Sequence, residues 1–518
     1  MTRPNEFKNE PFTDFTKPEN RSAQEKALAA ARADLGKEYP LLIGGREVKA
    51  PSTFPSINPA DKSQVLGRFQ KGTVELAVLA LEEGWKAFES WKRVPAGERA
   101  DTAFRAAEIM RRRRFEVNAW MILEAGKSWV EADADTAEAI DFLDFYALEM
   151  LRYAAPQPIT PVPGEENKLV YIPLGCGVAI PPWNFPMAIL AGMTTAAWLA
   201  GNTVVLKPAS VTPMMGWLYM DIVREAGLPG GVVNFMTGPG GSVGNTLVEH
   251  PKTRFITFTG SKEVGLEVNA KAAQHRPGQI WIKRVVAEMG GKDAIVVDRE
   301  ADLDKAVEAV AVSAFGFQGQ KCSACSRAIV DAAIYDTFLE KLAPRVARIT
   351  QGDPASPDHV MGPVIDKSAF DKILSYVEAG KKEGKLVTGG EGDDSKGFFI
   401  RPTVFQDIPP TGVLAQEEIF GPVLAVIKAK DWEDALAIAN NTEFGLTGAV
   451  FSRNPAKLEQ ALEEFHVGNL YINRKCTGAM VGGHPFGGFN MSGTDSKAGG
   501  RDYLLLFLQA KATSVKTA

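Results

Sequence analysis

Residues 175–206 read GCGVAIPPWNFPMAILAGMTTAAWLAGNTVVL, thirty-two consecutive positions without a formal charge. A run of that length could span a bilayer. Pro181, Pro182, Asn184 and Pro186 break its first half, however, and Gly201 with Asn202 break the second. The uninterrupted apolar part, 187–200, is only fourteen residues, which suits a buried helix better than a membrane span. The whole window is accounted for by a strand (177–180), a proline-rich loop, a helix (187–200) and a second strand (203–206). A central parallel strand and its crossover helix are covered on both sides, and this strips them of charge.

Strands and helices keep alternating on the C-terminal side. A helix over 214–226 is ended by Gly227, with Pro229 behind it. Strand 232–236, helix 242–250, strand 255–258, helix 262–272 and strand 294–297 follow, and a second alternating series runs over 303–473. This pattern predicts two doubly wound α/β domains meeting near 288–291. On the N-terminal side, helices dominate 74–153 and a hairpin over 39–48 turns at Gly44-Gly45. Residues 1–35 form a polar arm with a short helix near 23–35. The stretch 503–509, YLLLFLQ, reads as an apolar strand whose free edge would pair with another chain, so a homo-oligomer is expected.

The 518 residues carry 58 Lys+Arg against 63 Asp+Glu, a net charge of −5, which argues against nucleic-acid binding. Arginines fill 111–114, but they fall in a helical stretch and read as a solvated helix face. Cys176, Cys322, Cys325 and Cys476 are too sparse for a disulfide scaffold and fit a reducing compartment. The polar N-terminus has no signal-peptide core, so a soluble cytoplasmic protein is expected. The five histidines are scattered with no pair at metal-ligand spacing, so no metal is expected.

Three places carry candidate chemistry. Gly238-Pro-Gly240-Gly241-Ser-Val-Gly244 and Gly260-Ser261 each follow a strand and open a helix, and Lys207 closes strand 203–206. Helix N-termini at strand ends favour phosphate, yet on spacing alone tight βα turns account for these sites equally well. Cys322 and Cys325 form a C-x-x-C that admits half of a zinc site, a redox pair or a single nucleophile. Cys176 and Cys325 read as core residues, whereas Cys322 lies in a Gly/Gln/Lys turn where packing is a less natural role. A thiolate attacking a carbonyl needs donors for the oxyanion and, for hydrolysis, a base. Glu288, beside Gly290-Gly291, and Asn184, in the proline-rich loop, are residues of those types. A free thiol is only slightly ionised at neutral pH, so something must lower its pKa.

Together PWNFP (182–186), FTGS (258–261), E-x-GGK (288–292), GQKC (319–322), EEIFGPV (417–423), GNLYIN (468–473) and PFGG (485–488) resemble the aldehyde dehydrogenase superfamily in order and spacing. The resemblance covers roughly residues 40–515. It implies a dinucleotide-binding domain over 36–154 and 174–287, a catalytic domain over 288–488, and an oligomerisation flap from 155–173 with 489–518. It also implies Cys322 as nucleophile, Glu288 as general base, and Asn184 with the Cys322 N–H as oxyanion hole. The implied cofactor contacts are Ile180, Pro182, Trp183, Lys207, Ser210, Gly240, Gly244, Gly260, Ser261, Glu418 and Phe420. Ser210 stands where many NAD-preferring members carry a glutamate, so NADP stays open beside NAD.

Residues 321–324 and 473–482 resemble the branch acting on L-glutamate γ-semialdehyde, which opens from a cyclic imine and is oxidised to L-glutamate. For that substrate Ser323, Gly478 and Ala479 would hold the α-carboxylate, and Phe185 and Phe486 the aliphatic stem. Glu138 would meet the ammonium group, with an exposed helical glutamate as the plainer reading. A functional link to a proline dehydrogenase is implied as well. The rival readings are a dehydrogenase for another charged semialdehyde, such as succinic semialdehyde, and a catalytically silent binding relative.

Overall fold

The charge-free window folds as strand Cys176–Ile180, helix Ala188–Leu199 and strand Thr203–Leu206. Every residue of the helix except Ile189 is buried. Within it, the Trp198 indole N–H donates to the Tyr219 hydroxyl (3.0 Å), which also meets Thr195 (2.9 Å), so these polar groups are paired, whereas the buried Thr194 hydroxyl has no partner among the described residues. The computed structural model describes residues 3–4 and 6–517.

The two strands of the window lie in a seven-stranded sheet. Its order is Arg284–Glu288, Phe255–Thr259, Cys176–Ile180, Thr203–Leu206, Val233–Phe235, Leu41–Ile43 and Arg46–Val48. The first five are parallel, and the hairpin turning at Gly44-Gly45 adds two antiparallel edge strands. Chain order reverses between Cys176–Ile180 and Phe255–Thr259, and in open α/β sheets ligands bind beyond the strand ends at such a switch point.

A second seven-stranded sheet runs Lys385–Thr388, Thr403–Gln406, Val423–Ala429, Arg327–Asp331, Ala294–Val297, Thr447–Phe451 and Asn469–Ile472, parallel except for the first strand. The chain passes between the sheets at residues 289–293, directly after Glu288. Among the described residues no helix is long and apolar enough to cross a membrane.

Two expectations fail. Residues 503–509 are not a strand: Tyr503–Phe507 is a short 3-10 helix whose Tyr503, Leu504 and Phe507 enter the main core. The strand begins at Leu508, where the sequence turns polar, and Leu508–Lys516 pairs antiparallel with Glu165–Pro173 in an exposed ribbon. An apolar run without alternation fits a buried turn as well as a strand, and here burial decides. The four arginines are not one solvated face either. The helix Ala96–Arg112 ends among them and Arg114–Ala125 begins. Arg114 is buried, pairing with Asp133 (2.6 Å), and Arg113 reaches Asp221 (2.7 Å).

Candidate active site

The proline-rich loop leads from the end of Cys176–Ile180 into helix Ala188–Leu199, which has no acidic residue in its first turn. A carboxylate is supplied from elsewhere. Asp135, fully buried on the long helix Trp129–Ala154, accepts the Ala188 N–H at 2.6 Å. Lys127 pairs with the same carboxylate at 2.8 Å, with both side chains completely buried. The Lys127 ammonium also lies 4.0 Å from the Phe185 ring centre and 4.5 Å from that of Phe317. One buried ion pair therefore grips both the loop carrying Asn184 and the segment leading to Cys322.

That segment is locally strained. Phe317 (φ 48°) and Gln318 (φ 57°) adopt consecutive left-handed conformations, which non-glycine residues rarely do. The Gln318 amide holds them, donating to the carbonyls of Pro363 (2.6 Å) and Gly126 (3.0 Å). Beyond the kink, the Asn184 Nδ2 donates to the Gln320 carbonyl at 3.1 Å. Cys322 follows two residues later.

Glu288 ends its strand, with its Oε1 accepting from the Ser496 hydroxyl and its Oε2 buried without a partner. Burial pushes its carboxyl up to about 8, opposed mainly by the Ser496 hydrogen bond. The glycines after it are explained by contact within the chain. A Cβ on Gly290 would lie 2.2 Å from the Glu418 carboxylate, and one on Gly291 would lie 2.5 Å from the Cys322 carbonyl. The Gly291 N–H donates to Glu418 (3.1 Å), whose carboxyl burial raises to about 7.

Cys322 meets the reverse of what a resting thiolate requires. Burial, followed by the nearby carboxylates of Asp293, Glu418 and Glu288, pushes its thiol well above the ordinary range. All four cysteines are free. Cys325 is buried, with its Sγ donating to the Arg327 carbonyl (3.4 Å), and Cys476 is buried against the Ser323 carbonyl (3.3 Å).

Two cavities meet at Cys322. One, of about 830 Å³, is lined by Glu138, Phe185, Glu288, Ser323 and Phe486, with Gly478 and Ala479 at one side. The other, about 1330 Å³, lies at the switch point of the first sheet, between Ile180, Pro182 and Trp183, Gly260-Ser261, and Glu418 with Phe420. Cys322, Met289 and Thr259 line both. Glu138 is thus partly buried inside a cavity and is not an exposed helical glutamate.

Three residues grouped with the second cavity by sequence stand outside its lining. Ser210 is exposed. Gly240 and Gly244 bound a π-helical turn, and Gly244 lies against the Lys207 side chain. Sequence reading missed Lys127, Asp135, Gln318 and Ser496. Lys127, Glu131, Asp133 and Asp135 all follow Gly126 within nine positions, so nothing in the sequence singles out Lys127 and Asp135 as a pair, and nothing marks Ser496.

The second cavity suits a dinucleotide. Lys207 is buried in its lining, its side-chain ammonium making no hydrogen bond to protein among the described residues, and burial lowers its pKa to about 8. Ser261 caps helix Lys262–Ala273, aiming that helix's N-terminus at the cleft, where it favours phosphate.

Comparison with known proteins agrees with this geometry. A 1-pyrroline-5-carboxylate dehydrogenase from Geobacillus sp. (strain WCH70) is 59% identical over 508 residues, covering 98% of this chain and 99% of the relative. The crystal structure of 1-pyrroline-5-carboxylate dehydrogenase from Thermus with bound NAD superposes with a TM-score of 0.98 at 50% identity, covering 99% of this chain and 100% of that one. Proline utilization A from Bdellovibrio bacteriovorus gives a TM-score of 0.98 at 46% identity, covering all of this chain and 54% of that one. The profile of the aldehyde dehydrogenase family matches residues 47–513, and the chain belongs to that family.

Proposed function

We propose that this protein oxidises L-glutamate γ-semialdehyde, the open form of 1-pyrroline-5-carboxylate, to L-glutamate with NAD. The observation carrying the reading is the position of Cys322 at the junction of two cavities, one suited to a dinucleotide and one to a short amino-acid aldehyde. The high similarity to 1-pyrroline-5-carboxylate dehydrogenases supports the choice of substrate.

Lys207, Ser261, Glu418 and Phe420 hold the cofactor in this reading. When bound, NAD supplies the hydride acceptor for carbon oxidation. The chain does the rest. Cys322 gives its thiol proton to water as its sulfur adds to the aldehyde carbon, and the Asn184 amide donates to the oxygen as it gains charge. Loss of hydride from that carbon leaves a thioester on Cys322. Glu288 takes a proton from water, the water oxygen attacks the thioester carbon, and cleavage of the C–S bond, with that proton passed from Glu288 to the sulfur, returns the thiol and releases the acid.

Ser323 and the Gly478-Ala479 backbone hold the α-carboxylate, Phe185 and Phe486 flank the stem, and Glu138 meets the ammonium. The first sheet then serves the cofactor and the second carries the nucleophile, while the Glu165–Pro173/Leu508–Lys516 ribbon joins subunits of a homo-oligomer. The chain's match to part of a longer proline utilization protein supports supply of its substrate by a proline dehydrogenase.

The test is kcat/KM for pyrroline-5-carboxylate against succinic semialdehyde. Preference for the first is expected, and preference for the substrate without an amino group would overturn the assignment.

A further inference from the structure

The mouth of the substrate cavity is built in part by residues that precede the catalytic fold. The reaction cavity opens into a vestibule of about 1170 Å³ that shares Glu138, Phe185, Ser323, Gly478 and Ala479 with it. Phe12, 59% exposed, lines this vestibule from the N-terminal arm.

The arm is held by specific bonds. The Asn9 amide donates twice, to the Asp141 carboxylate at 2.8 Å and to the Val481 carbonyl at 3.0 Å. The Glu10 N–H meets the second Asp141 oxygen at 2.6 Å. Asp141 lies one turn beyond Glu138 on the same helix, and Val481 closes the loop that carries Gly478 and Ala479. One side chain therefore ties the element bearing the candidate ammonium partner to the loop bearing the candidate carboxylate anchor.

Neighbouring contacts fix the arm in that register. Thr13 bonds Asp133 through both its N–H and its hydroxyl (2.7 Å each), and Arg114 donates to the Pro11 carbonyl (2.9 Å). A Cβ on Gly482 would lie 3.2 Å from both Phe7 and Phe145, so the loop end packs closely against the arm.

We propose that the N-terminal arm is a working part of the substrate site, with Asn9 as a positioning residue that sets the spacing between the Glu138 helix and the Gly478-Ala479 loop. The inference rests on the substrate assignment above. It makes the arm selective: it matters for an aldehyde bearing an amino and a carboxylate group at its far end, and not for one lacking them.

Full-length Asn9→Ala, assayed with pyrroline-5-carboxylate, is expected to show KM raised about 5–10-fold, the scale of one or two lost hydrogen bonds. Its kcat and its KM for NAD are expected to stay at wild-type values, as are both constants with propanal. Asn9→Asp keeps the size but faces Asp141 with a second carboxylate, and should raise the semialdehyde KM further. An unchanged KM in both variants, or a parallel loss with both aldehydes, would overturn the proposal. Failure of the wild type itself to oxidise pyrroline-5-carboxylate would overturn the substrate assignment instead, and shows before any variant is made.

Discussion

Asn184 donates one amide hydrogen to the Gln320 carbonyl at 3.1 Å. That bond fixes the plane of the Asn184 carboxamide against the carbonyl two residues upstream of Cys322, and in the proposed mechanism the second hydrogen serves the substrate oxygen. Asn184→Ala removes the donor, and turnover is expected to fall about 10²–10³-fold, the effect of losing one oxyanion contact. Steady-state kcat with pyrroline-5-carboxylate measures it, and wild-type turnover would remove Asn184 from the chemistry.

Glu288 works as a base only when ionised, and burial raises its carboxyl to about 8. The turnover of the wild type should therefore climb as pH rises through about 8. The Ser496 hydroxyl favours the charged form. Ser496→Ala removes that support, so the inflection in kcat should move to higher pH. Superimposable pH profiles would show that another group sets it.

The Lys127–Asp135 pair has no access to water. Lys127→Met leaves the Asp135 carboxylate buried without its counter-charge, and a loss of about 3–5 kcal/mol in stability is expected. Urea unfolding of the purified protein reads this directly. A midpoint equal to wild type would mean that the pair does not hold the loops as described.

Glu138 separates the two candidate substrates. Burial pushes the Glu138 carboxyl up to about 8, and in the proposed binding mode the substrate ammonium holds it ionised. Glu138→Gln removes that partner, and KM for the glutamate semialdehyde should rise at least about tenfold. With succinic semialdehyde, which has no amino group, KM should stay the same. A parallel rise for both would assign Glu138 to the shape of the cavity and not to recognition.

Much of this was legible in the sequence because the decisive segments are local. Prolines at 181, 182 and 186 interrupt an otherwise charge-free run, and this alone separates strand, loop and helix around Asn184. The motif glycines at 290 and 291 signalled close approach, although what approaches is the chain's own Glu418 and Cys322 and not only a ligand. What stayed hidden depends on distant pairings. Asp135 caps a helix that begins fifty-three residues later, and Ser496 meets Glu288 across 208 positions. Residues 503–509 misled because a purely apolar run states that it is buried but not in what conformation. The arginines at 111–114 misled because, beside the local partners Glu108 and Glu116, they pair with Glu10, Asp133 and Asp221, which lie outside any local window.

The central claim is a covalent thioester on Cys322 that Glu288 then helps water to cleave. Glu288→Gln should form the thioester and fail to release it. Intact-mass measurement of that variant after mixing with NAD and pyrroline-5-carboxylate, followed by peptide mapping, tests this most directly. The expected result is one glutamyl group per chain, on the peptide containing Cys322 and absent from Glu288→Gln/Cys322→Ala. No adduct, or an adduct that persists when Cys322 is replaced, would contradict the account.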